Sequence, residues 1–187
     1  MPAWGRELPM PKISRIYSLN QAHATLQHCR NRLTTFSQEC ASTEMHTEDE
    51  TYVVTERQQY QNRLDRWEWA FTEYLSSAMR LMDSEDLTQC RVLKANHLAC
   101  VVLASDDGAG ASVLDVHETE FMAIVELAAA VLQSRQQAIS PRSDRSCDAT
   151  LTYCGLEIRD ALLVVVARCG HSAVRKRANE LFLLCCQ

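Results

Sequence analysis

The sequence predicts an all-α protein, an array of about six antiparallel amphipathic helices. Apolar residues make up 47% of the chain, while only five glycines and four prolines are available for turns, which favours helices with short connections over a sheet. Apolar residues also recur at spacings of three and four over long stretches, as on one face of a helix. A length of 187 residues fits a single domain, and no repeat of fixed period indicates a solenoid.

The first two predicted helices carry the clearest apolar faces. Residues 1–17 precede them as a flexible lead-in, because this segment holds three of the four prolines and has no helical period. A single helical domain then covers residues 18–187. The polar segment STEMHTEDE, residues 42–50, is predicted to be the loop between the two helices. Their apolar positions are Ala22, Leu26, Cys29, Leu33, Phe36 and Cys40 on the first helix, and Tyr60, Leu64, Trp67, Phe71, Tyr74, Ala78 and Met82 on the second.

The third and fourth helices have recognisable starts. Ser84 is followed by two acidic residues, which are favoured at a helix N-terminus. The third helix ends in LACVVLA, residues 98–104, which is apolar on nearly all sides and is therefore expected to be buried against several neighbours. DVHE at 115–118 has the spacing of a capping box, with Asp115 as N-cap of the fourth helix. The inward positions of the fourth helix are Phe121, Ile124, Val125, Ala128, Val131 and Leu132.

The last two helices are predicted to form a hairpin that closes the array. A polar segment interrupted by Pro141, residues 133–146, precedes them as a mobile connection. Gly170 divides the two helices, since its freedom to adopt positive φ suits a helix C-terminus. The side chains that we expect the hairpin to bury are Leu162, Val166, Leu181 and Phe182.

Charge and cysteine content restrict the function. The formal net charge of −5 gives the whole chain no attraction for phosphate backbones, so direct nucleic-acid binding is not expected. The nine cysteines form no CxxC pair, and most lie within apolar helical patterns, which is typical of reduced, buried thiols in an intracellular protein. The chain has no run of 18 apolar residues and no apolar N-terminal signal, so neither a membrane span nor secretion is expected.

No motif indicates catalysis or a cofactor. GxSxG, phosphate-loop, HExxH and Rossmann glycine patterns do not occur, and we expect no catalytic, cofactor-binding or metal-binding residues. His97 with Cys100, and Cys169 with His171, are the pairs that a zinc ion could use. His97 lies in an apolar helix and Cys169 at a helix end, so roles in the core and at the helix end are favoured over metal binding.

The C-terminal residues carry a resemblance to a known family. Residues 162–182 contain the apolar run LLVVVA, then Arg168 and Cys169, and then RKRANELF. This stretch resembles the C-terminal part of the regulatory region of fungal-specific zinc-binuclear-cluster transcription factors. SLNQAHATL, LDRWEWAF, KANHLACVVL and FMAIVELAAAVL occur in the order that this regulatory region would show. The paired CxxC groups that hold the family's two zinc ions are absent from the sequence, so the chain is similar to the regulatory half without the DNA-reading element.

The resemblance implies a non-enzymatic regulator that acts in the nucleus through protein contacts, without a cofactor. Such factors often control metabolic or secondary-metabolite gene clusters. The implied partner is a DNA-binding zinc-cluster factor, a co-regulator or a second copy of the chain. Candidate contact residues for a partner or a phosphate are Arg175, Lys176, Arg177 and Trp69, although the three cations also suit a solvated helix face.

Two other functions stay open at the level of sequence. A helical adaptor or structural protein would have the same composition and would act in a cytoplasmic complex. A small helical enzyme would need polar side chains that converge in a pocket. The family commonly continues beyond this hairpin, so the chain could also be a fragment.

Overall fold

The computed structural model describes residues 13–42, 47–105, 116–138 and 155–186. Within these ranges the chain forms six α-helices and no strand, which confirms the predicted all-α class. The helices are α1 (Leu19–Ser42), α2 (Thr47–Ala78), α3 (Ser84–Ser105), α4 (Glu118–Ala138), α5 (Ile158–Arg168) and α6 (Ser172–Leu184), with a 3-10 turn, Met79–Leu81, after α2. The antiparallel order of the helices stays a prediction. In the described part of the chain, no helix has the length and apolar character that a membrane span requires.

Helix α3 is the central helix, because its opposite faces enter two separate apolar clusters. Helices α1 and α2 pack on one face, and the cluster of α4, α5 and α6 packs on the other. This double burial explains why LACVVLA is apolar on nearly all sides. The first face of α3 consists of Cys90, Leu93, Cys100 and Ala104, and the second of Val92, Ala95, Ala99 and Val102.

The cluster of α1, α2 and α3 is built around Trp67, which is 1% exposed. The Trp67 indole N–H lies 3.1 Å from the Ala22 carbonyl oxygen and 3.1 Å from the Thr25 hydroxyl oxygen, and donates to both. The polar edge of the ring is therefore satisfied inside the core. Ile16, from the end of the predicted lead-in, is buried in the same cluster. The side chain of Cys40 lies outside the described residues.

The second cluster holds α4 and the hairpin of α5 and α6 against α3. The hairpin buries Leu162 and Leu181 as predicted, while Val166 and Phe182 are half-buried against the cluster. Helix α5 ends before Gly170 and α6 begins after it, as predicted. Asp115, the predicted N-cap, lies outside the described residues. The predicted inward face of α4 is buried at Phe121, Ile124, Ala128 and Val131 and half-buried at Val125 and Leu132.

Two predicted loops are helical in part. The loop predicted over residues 42–50 is wrong for Ser42, which ends α1, and for residues 47–50, which begin α2. The connection predicted from residue 133 is wrong as far as residue 138, because α4 continues to that point. Polar composition marks solvent exposure and does not by itself end a helix: acidic residues suit a first turn, and glutamine and arginine are good helix formers.

Candidate functional site

The three predicted cations of α6 form one exposed basic surface, which we define as Arg175, Lys176 and Arg177. Ala178 and Leu181, on the other side of α6, attach the helix to the second cluster. Arg177 donates to Glu180 on its own helix at 3.2 Å, an exposed pair of the kind that stabilises a fold little. The fold therefore does not require these cations for its packing.

The start of α6 adds to the positive potential of this surface. The first turn contains no acidic residue, and the side chain of the N-cap residue, His171, makes no capping hydrogen bond. The partial positive charge of the helix N-terminus is therefore not neutralised locally, and the basic side chains lie beside it. This arrangement favours an anionic group supplied from outside the helix.

Cys169 has a structural role in the turn before α6. Its thiol is buried and donates a hydrogen bond to the His171 carbonyl at 3.7 Å. Burial raises the pKa of the Cys169 thiol, which keeps it protonated at neutral pH. The thiol therefore helps to close the turn, as the sequence analysis favoured.

The base of the hairpin is fastened to α1 and α3 by polar contacts. Arg30 of α1 forms an ion pair with Asp160 of α5 at 2.9 Å, with both side chains largely buried. His23 Nε2 accepts a hydrogen bond at 3.2 Å from the Leu156 amide, and burial lowers the pKa of His23. Asn96 of α3 donates to the backbone carbonyl just before α5 at 3.0 Å. These contacts hold the hairpin, and with it the basic surface, in a defined position on the fold.

Trp69, the fourth predicted contact residue, lies on another part of the molecule. It is 65% exposed on α2, next to the fully buried Trp67. Helix α2 packs on the face of α3 opposite to the cluster of α4, α5 and α6. The structure therefore does not bring Trp69 and the basic surface together.

A second polar cluster lies between α2 and α3. His97 is 4% exposed and stacks on Trp67, with ring centroids 5.1 Å apart. His97 Nε2 lies 3.0 Å from the Leu64 carbonyl oxygen, and Nδ1 lies 3.1 Å from Glu68 Oε2. Lys94 pairs with the other oxygen of Glu68. The apolar pattern of α3 places His97 in the core, but it gives no sign of Glu68 and Lys94, because their contact joins two helices and leaves no local spacing signal.

Cys100 follows His97 on α3, and in the described ranges it belongs to no group of side chains that could hold a metal ion. Burial raises the pKa of the Cys100 thiol to about 12. Cys100 lies in the apolar cluster with Cys29 of α1, whose thiol pKa burial raises to about 11. Among the described residues, no three His, Cys, Asp or Glu side chains lie close enough together to hold a metal ion.

Comparisons of this chain with protein-family models, with curated proteins and with solved structures found no match.

Proposed function

We propose that the chain is a regulatory module, similar to the regulatory region of fungal zinc-cluster transcription factors, that acts in the nucleus through protein contacts. The observation that carries the proposal is the basic surface of α6. It would bind a DNA-binding zinc-cluster factor, a co-regulator or a second copy of the chain. Through that partner, the module would control a metabolic or secondary-metabolite gene cluster.

The different uses of the two sides of α6 support a function in binding a partner. Its apolar side is used by the fold, while Arg175 and Lys176 lie exposed beside a helix N-terminus that lacks an acidic residue. Cations at that end of a helix are unfavourable for its dipole, so their presence weakens the isolated helix slightly. An acidic partner surface would remove this repulsion and form charge-assisted hydrogen bonds.

A protein partner is favoured over nucleic acid by the charge of the chain. A formal net charge of −5 opposes the approach of a long polyanion. Three neighbouring cations would neutralise only a few phosphates, which gives weak and strongly salt-dependent binding. The proposed module therefore leaves DNA reading to its partner.

The test is affinity purification of the tagged protein from its own cells, with mass spectrometry of partners in the nuclear and cytoplasmic fractions. The test variant carries Arg175→Ala and Lys176→Ala, and the matched control carries Arg66→Ala, exposed on α2, and Arg80→Ala, exposed in the 3-10 turn that follows α2. Both variants lose the same charge. We expect a zinc-cluster factor or co-regulator in the nuclear fraction, at least tenfold depleted with the test variant and retained with the control. Purely cytoplasmic partners, or equal recovery with both variants, would overturn the proposal.

A helical adaptor is the second candidate, and a different observation favours it. Trp69 is 65% exposed on the polar side of α2, and tryptophan is frequent at the centre of protein interfaces. An adaptor that joins two partners would use this surface together with the distant basic surface. Trp69→Ala would then remove one partner and leave the other bound.

A further inference from the structure

His97 contacts two acceptor oxygens, and its neutral ring has a hydrogen for only one of them. His97 Nε2 is 3.0 Å from the Leu64 carbonyl oxygen, and Nδ1 is 3.1 Å from Glu68 Oε2. A carbonyl and a carboxylate oxygen both accept hydrogen bonds, whereas a neutral imidazole has only one N–H to donate. Nδ1 and Oε2 are both buried, and neither makes a hydrogen bond.

Only one of the two ring nitrogens can be satisfied while His97 is neutral. If Nε2 carries the hydrogen, it donates to Leu64, and the lone pair of Nδ1 then faces the carboxylate of Glu68. A second proton, on Nδ1, would convert this repulsive contact into a hydrogen bond between an imidazolium and a carboxylate. The same proton would place a positive charge on a ring that is almost completely buried, which opposes its uptake.

The ionisable groups that act on His97 lie on α2 and α3. From α2, Glu68 and Asp65 face the ring and favour the imidazolium, while Lys94 on α3 opposes it. In the cluster that α1 shares with α2 and α3, the titratable groups include the thiols of Cys29 and Cys100, and burial raises the pKa of both far above the acid range. Among these effects burial is the largest, and it lowers the pKa of His97.

We propose that His97 and Glu68 form a one-proton switch between α2 and α3: in acid the contact opens, because His97 takes up a proton more readily outside this buried position than within it. The neutral form is the resting form, with Nε2 bonded to Leu64. Trp67 stacks on His97 and donates a hydrogen bond to the Ala22 carbonyl of α1. Movement of His97 would therefore affect all three helices of the first cluster. The inference is independent of the partner proposed above.

The direction of the pH effect follows from linkage. The folded-state pKa of His97 lies below its unfolded value of 6.5, so the unfolded chain binds more protons between the two values. The contribution of His97 to the free energy of unfolding is fully present above about pH 6.5, and it is lost as the pH falls toward the folded-state pKa. One proton changes the unfolding equilibrium constant by at most about tenfold per pH unit.

Urea unfolding from pH 8 to pH 5, followed by tryptophan fluorescence, tests the switch. We expect His97→Gln to reduce the acid-induced rise of the unfolding constant by up to about tenfold per pH unit, because glutamine can donate to Leu64 without titrating. His28→Gln, at an exposed position of α1, is the matched control and should keep the wild-type pH dependence. Equal pH dependence in both variants would overturn the switch.

Nuclear magnetic resonance of the imidazole nitrogens tests the same proton in a near-isosteric variant. In the wild type we expect the Nε2–H tautomer at pH 7.5. In Glu68→Gln the amide can donate to Nδ1, so the titration midpoint of His97 should move to lower pH. A charged or Nδ1–H imidazole at pH 7.5, or a midpoint unaffected by Glu68→Gln, would contradict the proposal, and this result does not depend on whether His97→Gln folds.

Discussion

Leu181→Ala tests whether α6 is part of the core. Leu181 is 3% exposed in the cluster that joins α6 to α3, α4 and α5. Replacement of a buried leucine by alanine costs about 2–5 kcal/mol, and the cost falls where neighbours can move into the cavity. Since α6 is short and packs through one face, we expect about 3 kcal/mol. For a domain of this size, that corresponds to a fall in Tm of about 6–12 °C.

The assay is thermal and urea unfolding monitored by circular dichroism at 222 nm. Leu183→Ala is the matched control, because Leu183 lies two residues further along and is 55% exposed. It should change the free energy of unfolding by less than about 0.5 kcal/mol. Leu181→Asp should be more severe than Leu181→Ala, with unfolding or aggregation, since it buries an unpaired charge. A loss below about 0.5 kcal/mol in Leu181→Ala would refute the view that α6 closes the core.

Two further substitutions test polar contacts between helices. In Gly155→Ala the new Cβ would clash with the His23 ring, which must then move away from the backbone amide it binds. Urea unfolding should show a loss of about 1–3 kcal/mol. Unchanged stability would contradict this close approach. Trp67→Phe removes the donor to the Ala22 carbonyl and should also cost about 1–3 kcal/mol or more. Trp69 is exposed, so Trp69→Phe should change stability by less than about 0.5 kcal/mol. Equal losses in the two variants would refute the assigned burial.

The helices could be predicted from the sequence because the apolar residues on the buried face of a helix recur at spacings of three and four. Each amphipathic face reflects burial against neighbouring helices, as Leu26, Leu33 and Leu64 show in the cluster of α1, α2 and α3. The six helices of the described ranges and the hairpin division at Gly170 were also predictable. The ends of α1, α2 and α4 were not, because exposed polar helix turns have the same composition as loops. The division of the core into two clusters around α3 could not be predicted. It depends on contacts between distant segments, and the apolar spacing within one helix does not show which other helices it contacts.

The site could be predicted only in part for the same reason. The exposure of Arg175, Lys176 and Trp69 follows from helical periodicity, since each lies off the apolar face of its own helix. The anchoring of the hairpin through Arg30 and Asp160 joins residues 130 positions apart and has no local signature. The unsatisfied contact between His97 and Glu68 likewise arises only when α2 packs on α3.

Site-specific photo-crosslinking in living cells tests the proposed regulatory function most directly. A photo-reactive residue in place of Asn179, which lies about one helical turn from Lys176 on the exposed side of α6, leaves the three cations intact. The same residue in place of Thr72, exposed on α2, is the control. We predict a nuclear crosslink from position 179, and not from position 72, to a zinc-cluster factor, a transcriptional co-regulator or a second copy of the chain. Crosslinks from position 179 only to cytoplasmic proteins, or none at all, would contradict it.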